Sequence, residues 1–208
     1  MTARAPRVWS TAGAFGRAAL LVLLAWAVAG TITAVSYLAL GVIAVPILTG
    51  VVLGVGFVVA VIATHQAFWL GLLALVCGLP VLVGAVQYAP EAALDRRGVA
   101  QEVVITDVDV TGKRHEFRLS TVAGEALAER LDYQGSSPPY QIGDRLTVIS
   151  DPEGTVPLED AAKVDPDAKL GMLGGGTAVW TLIALYAARR GHVRRRNGKS
   201  LSDTPALY

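Results

Sequence analysis

The amino-acid sequence predicts an α-helical membrane protein: four transmembrane helices carrying an inserted small α+β, mainly antiparallel β, module. Three observations carry this expectation. Residues 18–89 contain no Asp, Glu, Lys or Arg, with His65 the only histidine among them, and water-soluble cores are not built from so long an uncharged run. A second apolar run, 170–188, is bounded by Lys169 on one side and by Arg189 and Arg190 on the other, the flanks expected of a span. Between the two runs, from Gln101 onward, apolar and polar residues alternate at the period of a strand. Composition agrees, with 53% hydrophobic residues, 17% charged and a mean hydropathy of +0.49.

The first run holds three helices. A span needs about 20 apolar residues, and dividing 72 residues between two helices would make each about 54 Å long, more than tilt absorbs. Spans are expected over 18–40, 42–64 and 68–88, with joints at Gly41 and at His65, Gln66 and Ala67. Gly50 and Gly54 form a small-xxx-small pair, Gly171, Gly174, Gly175 and Gly176 smooth the start of the fourth span, and Pro46 and Pro80 are expected near helix ends or at kinks. The apolar run continues well past Ala25, Ala27 and Ala29, farther than the core of a cleaved signal peptide, so the first helix reads as an anchor.

Charge orients the chain. The net +1 conceals 3 basic and no acidic residues in 1–17, then 9 basic against 16 acidic in 90–169, then 6 basic against 1 acidic in 189–208. Basic flanks stay in the cytoplasm. Residues 1–17 are therefore expected as a cytoplasmic basic N-terminus, 18–89 as three spans, 90–169 as an extracytoplasmic β-rich module, 170–188 as the fourth span and 189–208 as a cytoplasmic basic tail. The expected place is the plasma membrane, crossed several times.

Within the module, Val104, Val108 and Val110 are expected on one face of a strand with Asp107 and Asp109 on the other. Thr111, Gly112 and Lys113 supply a turn to a second strand carrying Phe117 and Leu119, making a hairpin. Ala123, Leu127 and Leu131 fall four apart, which predicts a short amphipathic helix. After the loop Gly135, Ser136, Ser137, Pro138, Pro139, a strand with Leu146 and Val148 inward leads to Asp151, Pro152, Glu153, Gly154, a type I turn pattern. Val156 and Leu158 close a set of about four strands and one helix, too small for a deep substrate cavity.

Arg97, Gly98, Val99 leading into the strand at 103–110, then Tyr140, Gln141, Ile142, Gly143, Asp144, Arg145, and finally Val148, Asp151 and Pro152 resemble an uncharacterised family of bacterial membrane proteins in which a small extracytoplasmic β-module sits between transmembrane helices. The resemblance covers about a third of the chain. Members commonly place one helix before the module, so three is a departure. The family has no assigned catalytic residues, and the resemblance implies architecture alone.

No motif for chemistry stands out. Asp107, Asp109, Thr111 and Gly112 imitate the start of a calcium loop, but its twelfth position is Arg118 where a bidentate Glu is required. His115 is the module's single histidine, read as an exposed residue at a strand start, with no nucleophile elbow beside it. Glu159, Asp160, Asp165 and Asp167 read as a solvated polar linker, and the lone Cys77 as a small buried hydrophobe. No catalytic, cofactor-binding or metal-ligating residue is assigned, and no cofactor is expected.

Partners follow from the same residues. The lipid bilayer is the first, with anionic lipid contact by Arg189, Arg190, Arg194, Arg195 and Arg196, for which marking topology is the simpler explanation. Nucleic acid is not expected, because no aromatics interleave these arginines. The expected function is non-enzymatic contact by the module with an unidentified envelope protein or component, through the loop from Tyr133 to Tyr140. The alternative is a homo-oligomeric transporter or channel subunit. Against it, the spans carry hydroxyls such as Thr31, Thr33, Ser36, Thr49, Thr177 and Thr181, plus Gln87, but no carboxylate or basic side chain.

Overall fold

A computed structural model describes residues 11–65 and 68–196. Arg4, Arg7, Lys199 and Asp203, together with Gln66 and Ala67 of the second joint, lie outside them. The elements in chain order are α1 (Thr11–Leu38), α2 (Ala44–His65), α3 (Phe68–Arg97), β1 (Val99–Thr111), β2 (Arg114–Thr121), β3 (Ala126–Gln134), β4 (Arg145–Ser150), β5 (Glu159–Asp160), a 3-10 turn at Ala161–Lys163, and α4 (Pro166–Arg196). All four α-helices are long and apolar enough to cross a membrane.

Three helices outrun the expected spans, α1 by starting at Thr11. α3 continues through Pro80 and Pro90 to Arg97, so its last nine residues, with Glu91 and Asp95, stand beyond the apolar segment. Pro80 therefore lies inside a helix rather than at an end. α4 starts at Pro166, where a missing N–H costs nothing, and Asp165 caps it by accepting from the Ala168 amide at 2.9 Å.

The bundle closes on small residues and one large ring. Trp180 is almost fully buried, stacks on Phe57 with centroids 4.4 Å apart, and donates its Nε1–H to the Ala74 carbonyl at 2.8 Å. A Cβ at Gly84 would fall 2.6 Å from the Leu173 nitrogen and 2.7 Å from the Lys169 oxygen, so the backbones of α3 and α4 touch there. Gly176 meets Val81 in the same seam. The expected small-residue face is used differently: Gly50 receives the Leu82 side chain, while Gly54, Gly171, Gly174 and Gly175 have open space at their Cβ positions.

The module is one antiparallel five-stranded sheet in the order β3-β2-β1-β4-β5, curled so that β3 and β5 approach each other. The hairpin is as expected, with Gly112 at a φ of 64° in its turn. The turn at Asp151 also forms, closed by the Gly154 amide on the Asp151 carbonyl at 2.9 Å. Phe117, Leu119, Leu131, Val148 and Leu158 are buried in one apolar cluster.

Three expectations are corrected. Residues 126–134 form strand β3 and not an amphipathic helix. Leu127 and Leu131 fit either period, but Tyr133, which also packs inward, is in phase with Leu131 only at period two. Pairing along β2 outweighs the helical preference of Ala, Leu, Glu and Arg. In β1 the inward residues are Val103 and Ile105, followed by a bulge before Asp107 that shifts the phase to Val108. One extra residue reverses the face of everything beyond it, so Val108 joins Val103 and Ile105 on the inner side, while Val110, near the strand end, is exposed. Last, the sheet has five strands, and Glu159 with Asp160 forms the fifth; these acids are not linker.

Candidate functional site

Polar chemistry gathers where the module meets the bundle. α3 ends in Arg97 and Gly98, and β1 starts at once. A Cβ on Gly98 would stand 2.3 Å from the Leu94 carbonyl oxygen, so helix and sheet join without a linker. Arg97 donates to the Asp151 carboxylate at 2.8 Å and also engages Glu153 and the Thr155 hydroxyl. The Asp151 side chain is fully buried and accepts from the amides of Glu153, Thr155 and Val156 as well as from the Thr155 hydroxyl. Burial alone would raise its pKa. The Thr155 hydroxyl, the Glu153 amide, Arg97 and the Val156 amide outweigh that, and the carboxyl sits well below the usual range.

Two further contacts complete the junction. Glu91 of α3 pairs with Lys169 of α4 at 3.4 Å and accepts from the Asp165 amide at 2.9 Å. The α1–α2 loop reaches the same place, where a Cβ on Gly41 would lie 3.3 Å from the Thr155 oxygen. The module is thus seated on the end of the bundle that carries the α1–α2 loop. Among the residues that carried the family resemblance, Arg97, Gly98 and Asp151 assemble into this junction. Gln141, Gly143 and Asp144 build a turn, in which the Asp144 carboxylate accepts from the Gln141 amide at 2.7 Å and Gly143 has a φ of 94°. These residues hold structure.

The loop expected to make contact has a different place. Tyr133 and Tyr140 pack against the module's apolar cluster. Tyr140 donates to Asp160 at 2.7 Å, and the Lys163 ammonium lies 4.7 Å from the Tyr140 ring centroid and 5.2 Å from that of Tyr133. This corner ties the β3 edge to β5. Burial and the Asp160 carboxylate raise the Tyr140 pKa, and burial raises that of Glu159 against the opposing pull of Lys163. His115 is likewise half-buried, its ring between those of Phe117 and Tyr133 and its Nε2 3.0 Å from the Gly135 carbonyl; it is not an exposed strand-start residue.

The outer face of β1, β2 and β3 is a lattice of charge. Like charges stand opposite one another, Asp109 with Glu116 and Arg118 with Arg130, and the ion pairs run along the diagonals: Arg118 to Asp109 at 2.9 Å and Arg130 to Glu116 at 2.9 Å. Asp107 and Asp109, the imitation calcium ligands, both face Arg118. Each exposed pair is worth about 0–1 kcal/mol.

No family model, curated protein or solved structure matches this chain.

The contacts inside the bundle set its helices in register. Trp26 of α1 donates to Thr181 of α4 at 3.2 Å, and Gly84 of α3 lies on Leu173 of α4. Counting outward along antiparallel helices from these contacts, Tyr37, Tyr88 and Lys169 share one level, and Arg17, Trp69 and Arg189 share another. On α3 the two levels are separated by residues 69 to 88, about 28 Å, close to the thickness of a hydrocarbon core of about 30 Å. Tyr37 and Tyr88 meet edge to face at 6.2 Å at the first level, and Trp69 and Tyr186 at 6.0 Å near the second, the pattern of two interfacial aromatic belts. Between the levels, an apolar groove lined by Val51, Gly54, Val58, Leu75, Leu79 and Trp180 opens between α2 and α3.

Proposed function

We propose that this chain is a non-enzymatic integral protein of the plasma membrane, with both termini cytoplasmic, that presents its β-module outside the membrane to a protein or another envelope component. The carrying observation is the junction. Arg97, Gly98, Asp151, Glu91 and Lys169 hold the module in one orientation on the bundle end, and β3 remains a sheet edge with a backbone partner on β2 alone. A fixed module suits recognition by strand addition along the Ala126–Arg130 part of that edge, away from the corner where Tyr133 meets Lys163. Because Tyr133 and Tyr140 pack inward, the contact surface we propose is the β3 edge with its outer charged face, in place of the loop between those tyrosines. The kinship suggested by the family resemblance remains part of this proposal.

Orientation is tested with single cysteines at Ser137 and Ser200 in a Cys77→Ala background. An impermeant thiol reagent applied to intact cells is expected to label Ser137→Cys and to reach Ser200→Cys only after permeabilisation. The opposite pattern would put the module in the cytoplasm. The seat of function is tested by exchanging the four spans for unrelated ones of the same orientation while keeping residues 39–43 and 89–169, because the α1–α2 loop touches the module. The native partner is expected to co-purify still. Its loss, with the module folded and exported, would move the function into the membrane.

The second reading, a transporter or channel subunit formed by several copies, is favoured by the groove between α2 and α3, where Gly54 leaves room for a neighbouring helix. The apolar lining of that groove weighs against an ion path.

A further inference from the structure

α2 and α3 touch at two places. The Leu82 side chain fills the space beside Gly50, and the Ile62 side chain fills the space beside Gly71. Between these contacts, from Gly71 to Leu82 along about 17 Å of α3, lies the apolar groove, with about 480 Å³ of free space out to its mouth. Its rims, Val51 and Val55 of α2 and Leu75 and Leu79 of α3, are exposed, while Ala74 and Trp180 at its floor are buried. The groove therefore opens sideways and is shut at both ends. Every lining residue is Gly, Ala, Val, Leu, Ile or Trp. The Trp180 Nε1–H, their one polar side-chain group, is taken by the Ala74 carbonyl, so no lining side chain is left to hold water. On α3 the middle of the groove lies about 3 Å from the midpoint between the Trp69 and Tyr88 levels, at the centre of the hydrocarbon core.

We infer that this groove holds the terminal part of one acyl chain of a membrane phospholipid, laid against Trp180. Depth selects this chemistry, because the surroundings at mid-membrane are hydrocarbon and head groups stay at the interfaces. Width selects a chain over a helix. Helices in contact through a glycine at each end keep their axes about 8–10 Å apart, too close for a third helix about 10–12 Å across to enter between them. A helix from a second copy would lie over the mouth and leave the floor unfilled. A single chain meets its neighbours at about 4 Å between carbons and fits the slot, and an empty groove would forfeit those contacts. The inference rests on the membrane reading and is independent of which way round the chain is inserted.

The test uses the full chain in phosphatidylcholine vesicles, with Trp9, Trp26 and Trp69 replaced by Phe so that Trp180 alone emits. The lipid carries bromine, a short-range quencher, near the end of one acyl chain. Trp180 is 2% exposed, so strong quenching is expected through a chain in the groove. Most of it should be lost in Gly54→Leu, whose side chain enters the open space there. Val51→Phe, on the exposed rim, should act likewise without a clash inside the bundle. An unquenched Trp180 would overturn the inference, as would quenching that persists in both variants, since it would then come from lipid outside the groove. Quenching that appears only after dilution of the protein into excess lipid would show that a second copy covers the groove, which overturns it too. Flotation of the same vesicles keeps the two readings apart: a chain that floats with them unquenched loses this site alone, whereas one that does not float loses the membrane reading as well.

Discussion

Asp151→Ala is expected to unfold the β-module while leaving the four helices in place. The side chain is fully buried and accepts from Arg97, from the Thr155 hydroxyl and from three backbone amides. Its removal strands these donors at once, at a cost of about 3–5 kcal/mol, a large share of what a domain of this size has in reserve. Amide hydrogen exchange is the measurement: protection should be lost across β1, β2 and β4 and kept in α1 and α4. Protection unchanged in the sheet would remove Asp151 from the role given to it. Asp151→Asn, which retains one acceptor oxygen, should fall between.

The same carboxylate predicts an acid limit. Because its folded pKa lies below the ordinary value of 3.8, its contribution is fully present above that value. The contribution is lost as the pH falls from there through the folded pKa, since the unfolded chain takes up the proton first. Acid unfolding of the wild-type module should therefore steepen below about pH 4, and in Asp151→Asn this component should be missing.

Gly84→Leu is expected to part α3 from α4. Even the Cβ of alanine would lie 2.6–2.7 Å from backbone atoms of Leu173 and Lys169, and backbone cannot rotate aside as a side chain can. The helices must separate, loosening the seam that also contains Gly176 and Trp180, at about 3 kcal/mol or more. Thermal unfolding in detergent, followed by tryptophan fluorescence, should show a clear fall for Gly84→Ala and a larger one for Gly84→Leu. Gly54→Ala, whose Cβ meets nothing within 4 Å, should change little. If Gly84→Ala melts with the wild type, the backbones do not approach as closely as described.

Much of the architecture is legible in the sequence because it depends on runs and flanks. A stretch of 72 residues without a charged side chain admits three spans, and Lys169 and Arg189 bracket a fourth. The hairpin at Gly112 and the turn at Asp151 are local, each set by a few adjacent residues. The seam glycines were not legible, since Gly50 and Gly84 look alike in one dimension and differ only in what stands opposite them. The junction was visible only in part. Arg97, Gly98 and Asp151 stand out through a resemblance, but nothing in their spacing says that Arg97 binds the carboxylate of Asp151, 54 residues away.

The sequence by itself determined where the chain is apolar enough to enter a bilayer and where it alternates as a strand, because both depend on the order of residues along one segment. Tertiary structure decided that 126–134 is a strand, that Val103 and Ile105 face inward and a bulge before Asp107 brings Val108 to the same side, and that Glu159 and Asp160 join the sheet. In each case two local conformations are close in energy. Pairing with β2, β1 or β4 supplies the difference, and those partners come from elsewhere in the chain.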